Sequence, residues 1–197
     1  MTTTLQDLAR RAREIEAELE AEIATRRDAL GGRLVRGRIV FEAEVLARHR
    51  AARENFLDYV RAIRLRDVAT APVIYSLIVP IALVDFWVTL YQWICFPAYG
   101  IPRVRRRDFV VIDRHHLGYL NALDKFNCAY CGYCNGVIGY VREVASRTEA
   151  YWCPIKHARR WPGGPPRYAE FMDYGDEADH LDRWEQARAR VRGTGGA

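Results

Sequence analysis

Apolar residues recur along the first thirty positions at helical spacing. Leu5, Leu8, Ala12, Ile15 and Leu19 stand 3, 4, 3 and 4 residues apart, with Glu and Arg on the other faces. The pattern predicts a surface helix over 4–30 that breaks at Gly31-Gly32. A second helix is predicted from about 38 to 65, with Phe41, Val45, His49, Ala52, Phe56, Val60 and Ile63 on its apolar face. Two such helices across a Gly-Gly turn predict an antiparallel hairpin, or coiled-coil pairing with another subunit or a partner protein. His49 on the apolar face reads as a metal ligand or, more simply, as a satisfied interface residue.

The character changes at residue 73. VIYSLIVPIALVDFWVTLYQWICF (73–96) holds one charge, Asp85, in 24 positions. As a helix it would reach about 36 Å, enough to cross the hydrocarbon core. Tyr75, Trp87, Tyr91 and Trp93 supply the aromatic residues found near membrane interfaces. Pro80 should kink the run, and Asp85 would cost a few kcal/mol if it faced lipid alone. These features suit a re-entrant helix pair, or a single tilted span with Asp85 packed against a partner. Arg61, Arg64 and Arg66 precede the run and Arg103, Arg105, Arg106 and Arg107 follow it, so the flanking charges give little orientation. The second group forms a patch suited to anionic headgroups. A soluble fold would instead have to bury the whole run.

Further on, FVVID (109–113) reads as a short strand or an extended lead. Asp113 is placed to cap a helix over RHHLGYLNALDKF, a further helix covers 137–152, and a charged helix lies near 176–192 beyond a Pro/Gly hinge. The expected fold is mainly α. An amphipathic helical hairpin (1–70) leads to a hydrophobic membrane segment (71–100), a small helical Cys/His metal-knuckle domain (101–160) and a charged C-terminal extension (161–197).

The candidate chemistry lies in NCAYCGYCNG (127–136) and CPIKH (153–157). Cys128 and Cys131 are spaced to converge on one ion, with Gly132 permitting a tight turn. Pro154 suits a first helical turn, which would set Cys153 and His157 four apart on one face. Together they read C-x2-C-x21-C-x3-H, a Cys3His set of the tetrahedral zinc type. The spacing over 128–157 resembles zinc-knuckle, treble-clef-like and rubredoxin-like metal modules, and the resemblance implies a closed structural site. Cys134 is an alternative ligand: Cys128, Cys131, Cys134 and Cys153 have the arithmetic of an iron–sulfur cluster. Free structural thiols are the third reading. Asp113, His115 and His116, with Glu143 and Glu149 on the next helix, form a possible second site for a metal or for acid–base work, or merely cap a helix and face solvent. Familiar enzyme signatures are missing from the sequence, so no catalytic residue is assigned.

Charge adds little. The chain has 30 basic and 25 acidic residues, a net +5 spread thinly, so nucleic acid is not an expected partner. Five cysteines and a polar, charged N-terminus favour a reducing compartment. The sequence thus predicts a membrane-associated, zinc-like metal-binding adaptor or scaffold. It would sit in a bacterial-type inner membrane with the metal domain on the cytoplasmic side, touching lipid and, through its N-terminal helices, a second copy or another protein. The alternative is a membrane-bound iron–sulfur electron-transfer protein.

Overall fold

The computed structural model describes residues 4–35, 38–53, 55, 61–159, 164–165 and 167–193. The protein is mainly helical: α1 (Leu5–Ala29), β1 (Gly32–Val35), β2 (Arg38–Phe41), α2 (Ala43–Ala51), α3 (Leu65–Ser76), α4 (Ile78–Tyr99), α5 (Ala122–Trp152) and α6 (His180–Gly193). It divides into two compact units. One comprises Arg10–Pro80 and Val110–Asn135, the other Met1–Ala9, Ile81–Phe109 and Gly136–Ala197.

In the first of these, the expected helical hairpin is corrected. Helix α1 ends at Ala29 and the chain turns through Leu30 and Gly31, whose φ of +78° suits glycine. The chain then forms an antiparallel β-hairpin in the register Gly32↔Phe41 to Val35↔Arg38. Val35, Ile39, Val40 and Phe41 are β-branched or aromatic, and this local preference overrides the helical spacing read from Phe41 onward. Helix α2 ends at Ala51, so no single helix covers 38–65; residues 54 and 56–60 of that prediction lie outside the described residues. Val45 is buried beneath the turn, where a Cβ on Gly31 would approach its Cγ2 to 2.7 Å.

The apolar run is helical from Leu65 to Tyr99, with a mean hydropathy of 2.1 in its most apolar window. It is the one helix among the described residues long and apolar enough to cross a membrane. Leu77 separates α3 from α4. The break falls one residue after Ser76, whose carbonyl the Pro80 ring would meet and whose bonding partner Pro80 lacks. At the far end Gly100 adopts φ +70°. There Ile101 N–H donates to the Phe96 carbonyl at 2.8 Å and Gly100 N–H to Pro97 at 3.1 Å, a Schellman stop.

The second unit has the main core: Phe96, Ile101, Val104, Tyr140, Val144, Ala150, Tyr151, Phe171 and Val191. Helix α6 closes one end of it, with arginines bonded to the last carbonyls of two helices. Arg192 Nε donates to the Tyr99 carbonyl at 3.1 Å and Arg188 Nε to the Tyr151 carbonyl at 3.2 Å. Both guanidinium groups also lie over the Tyr151 ring, at 5.2 and 5.3 Å. Helix C-termini attract cations in this way.

Candidate functional site

Helix α4 is built inside out. The buried and half-buried side chains of α4 are those at 78, 81, 85, 88, 90, 91, 92, 95, 96 and 99, a helical stripe that includes both its buried polar residues, Asp85 and Gln92. The opposite face is apolar and open: Phe86, Trp87, Trp93 and Ile94 are 58%, 61%, 64% and 57% exposed, and Leu83 and Val84 join them.

Each polar group on the inner face has a partner. Arg106 grips Asp85 with two guanidinium nitrogens, Nε at 2.9 Å from Oδ1 and Nη2 at 2.6 Å from Oδ2. Gln92 serves the segment after the helix from both ends of its amide. Its Oε1 accepts from the Val104 N–H at 2.9 Å, and its Nε2 donates to the Val104 carbonyl at 3.2 Å. The same nitrogen donates to the Tyr140 hydroxyl at 2.5 Å, which lies 3.2 Å from Thr89 Oγ1. Tyr91 reaches Thr148 at 3.1 Å. An unmade bond of this kind costs about 1–3 kcal/mol in protein and more in hydrocarbon, so the ladder is what lets an apolar helix hold polar side chains. An open groove of about 510 Å³ runs past Ala82, Phe86, Leu90 and Trp93, with Asp85 and Arg106 in its lining.

The cysteine stretch differs from expectation. Cys128, Cys131 and Cys134 lie inside α5, one unbroken helix from Ala122, so the expected knuckle turn and the two separate helices around it are absent. The cap is Asn121, not Asp113. Its Oδ1 accepts from the Leu123 and Asp124 N–H groups, each at 2.9 Å, whereas Asp113 makes no cap bond over the short 3₁₀ turn at Arg114–His116. Helix wins through 128–136 because Cys134, Val137, Tyr140 and Val144 are buried at spacings of 3, 3 and 4. Gly132 permits close approach instead of a turn: a Cβ there would stand 3.0 Å from the Val111 carbonyl oxygen. Cys128 and Cys131 remain one helical turn apart, half-buried and exposed respectively.

CPIKH is not a helical turn either. The residue before a proline is pushed to extended backbone, and 154–156 instead pairs with the strand-like Met172 segment. Met172 N–H donates to the Pro154 carbonyl and Lys156 N–H to the Met172 carbonyl, both at 2.8 Å. His157 stacks on Tyr168, their centroids 6.3 Å apart. Among the described residues no group of three or more His, Cys, Asp and Glu side chains is placed to hold a metal ion. Neither the Cys128, Cys131, Cys153, His157 set nor the set with Cys134 is therefore gathered into one cluster. Asp113, His115 and His116 also form no such group, although the two histidine rings lie 3.9 Å apart. His49 is an aromatic packing residue between Phe41 at 4.9 Å and Tyr119 at 5.1 Å.

Glu143, a candidate carboxylate for a second site by sequence, is instead ion-paired with Arg147 and Arg167. Burial would raise the Glu143 carboxyl, but hydrogen bonds from Arg167 and Arg147 hold it below the usual range. Arg147 also donates to the Pro102 carbonyl at 2.7 Å and Arg167 to Ser146 at 3.3 Å, so Glu143 joins three chain segments. Glu149, one and a half turns on, is raised by burial, partly offset by His157. The i, i+4 spacing of Glu143 and Arg147 was legible in the sequence; the arrival of Arg167 was not. Comparison with protein-family models, curated proteins and solved structures found no match.

Proposed function

We propose that this protein is a membrane-embedded helical scaffold whose anchor is the α4 face bearing Leu83, Phe86, Trp87, Trp93 and Ile94. One observation carries the proposal: α4 holds Asp85 and Gln92 against its own chain while Leu83, Phe86, Trp87, Trp93 and Ile94 stand more than half exposed. Water would favour the reverse, whereas lipid favours this arrangement. The stripe Ile15, Leu19 and Ile23 of α1, each more than half exposed, supports a role in joining a second copy or another protein. The purified full chain should partition into the detergent phase on cloud-point separation. Quantitative recovery in the aqueous phase would defeat the proposal.

A second reading rests on Cys128 and Cys131. Side chains three apart on a helix have Cβ atoms about 5–6 Å apart, a separation two thiolates can bridge through one zinc-like ion with Zn–S bonds of about 2.3 Å. Helix α5 would then supply half a ligand set, and a partner or second copy the rest. Elemental analysis of protein purified without chelator should find zinc, lost in Cys128→Ser and Cys131→Ser and kept in Cys134→Ser. Protein free of metal, or loss only in Cys134→Ser, would refute it.

A further inference from the structure

We infer that α4 lies along one leaflet of an anionic membrane instead of crossing it, with the Arg103–Arg107 segment against the headgroups. This rests on the membrane reading and goes beyond it. After the Gly100 stop the chain doubles back beside the helix. Val104 is bonded to Gln92, Arg106 to Asp85, and Phe109 packs on Tyr140 at 6.4 Å between centroids. Asp85 is 14 residues before Tyr99, so this return covers about 21 Å of helix.

The returning segment alternates. Ile101 and Val104 are buried in the core, while Arg103, Arg105 and Arg107 are exposed. Arg105 and Arg107 share the exposed Asp108 carboxylate, at 3.4 and 3.8 Å. Four arginines against Asp85 and Asp108 leave the helix and its returning segment with a net charge of +2. Were α4 upright, these guanidinium groups would be carried through much of a hydrocarbon core about 30 Å thick, where such charges are rare. Laid flat, the apolar face dips into the acyl chains while the arginines stay level with phosphate, the arrangement of an interfacial amphipathic element.

Trp87 and Trp93 test this directly. They are six residues apart, about 9 Å along the axis, so an upright helix puts them at different depths and a flat one at similar depth. Both are well exposed, so Trp87→Phe and Trp93→Phe leave the core alone. The full chain is reconstituted into phosphatidylcholine vesicles with and without phosphatidylglycerol, carrying bromine at shallow or deep acyl positions. Each variant should lose fluorescence quenched by the same shallow bromine. A vesicle-bound chain with one tryptophan quenched shallow and the other deep overturns the in-plane placement while leaving the anchor intact. No quenching at all overturns both. The triple variant Arg103→Gln, Arg105→Gln, Arg107→Gln should bind phosphatidylglycerol vesicles roughly a hundredfold less tightly, and unchanged binding overturns the headgroup contact.

Discussion

Arg106 holds the Asp85 carboxylate by a two-nitrogen grip from a segment 21 residues further along the chain. The pair explains how an acidic residue can sit in the most apolar helix of the protein. Its partner comes from the same chain. Removing one member leaves a desolvated charge, so Asp85→Ala should cost about 2–3 kcal/mol of stability in detergent, towards the low end because part of Arg106 is open. The double variant Asp85→Leu, Arg106→Leu should recover most of that loss. Thermal unfolding of the three proteins checks this, and equal damage in single and double variants would refute the coupling.

Gln92 should be less forgiving. Gln92→Leu keeps the volume but strips partners from the Val104 N–H and carbonyl, at a cost of about 2–3 kcal/mol. Tyr140→Phe, which removes one shared hydroxyl, should cost about 1 kcal/mol. Denaturant midpoints in the same detergent give the order.

Two glutamates six residues apart on α5 should respond oppositely to pH. The folded value of Glu143 is lowered, so its stabilisation is present above the unfolded value of about 4.3 and is lost as pH falls through the folded one. The folded value of Glu149 is raised, so its ionisation weakens the fold as pH climbs through that value. Glu143→Gln should therefore destabilise by about 3 kcal/mol near neutrality and flatten the acid limb of the stability curve. Glu149→Gln should not destabilise there. Unfolding curves from neutral to acid pH separate the two.

Gly31→Ala tests the hairpin. At φ +78°, with Val45 in the way, an added methyl should cost at least about 1–2 kcal/mol. A neutral effect would contradict the turn.

Much of the fold could be read from the sequence. The helical periods of α1 and the apolar run appear in single stretches of chain, as does the charged C-terminal helix. What failed was local competition. Phe41 satisfies both a helical stripe and a strand, and the β-branched residues before it decided the matter. At 128–134 cysteine spacing and helical spacing coincide, because C-x2-C is also i, i+3; Val137, Tyr140 and Val144 carried the helical pattern onward. Asp85 and Gln92 stand seven apart, two turns on one face, which signals a shared covering. That Arg106 and Val104 provide it depends on a chain reversal at Gly100, and no local pattern encodes where that returning segment lies.

The most direct test of the inside-out helix is crosslinking of the full chain by a photoactivatable phospholipid, mapped by mass spectrometry. The structure predicts adducts on Leu83, Phe86, Trp87, Trp93 and Ile94, and none on Val88, Gln92 or Phe96. Adducts spread evenly around α4, or lacking on it altogether, would contradict the account.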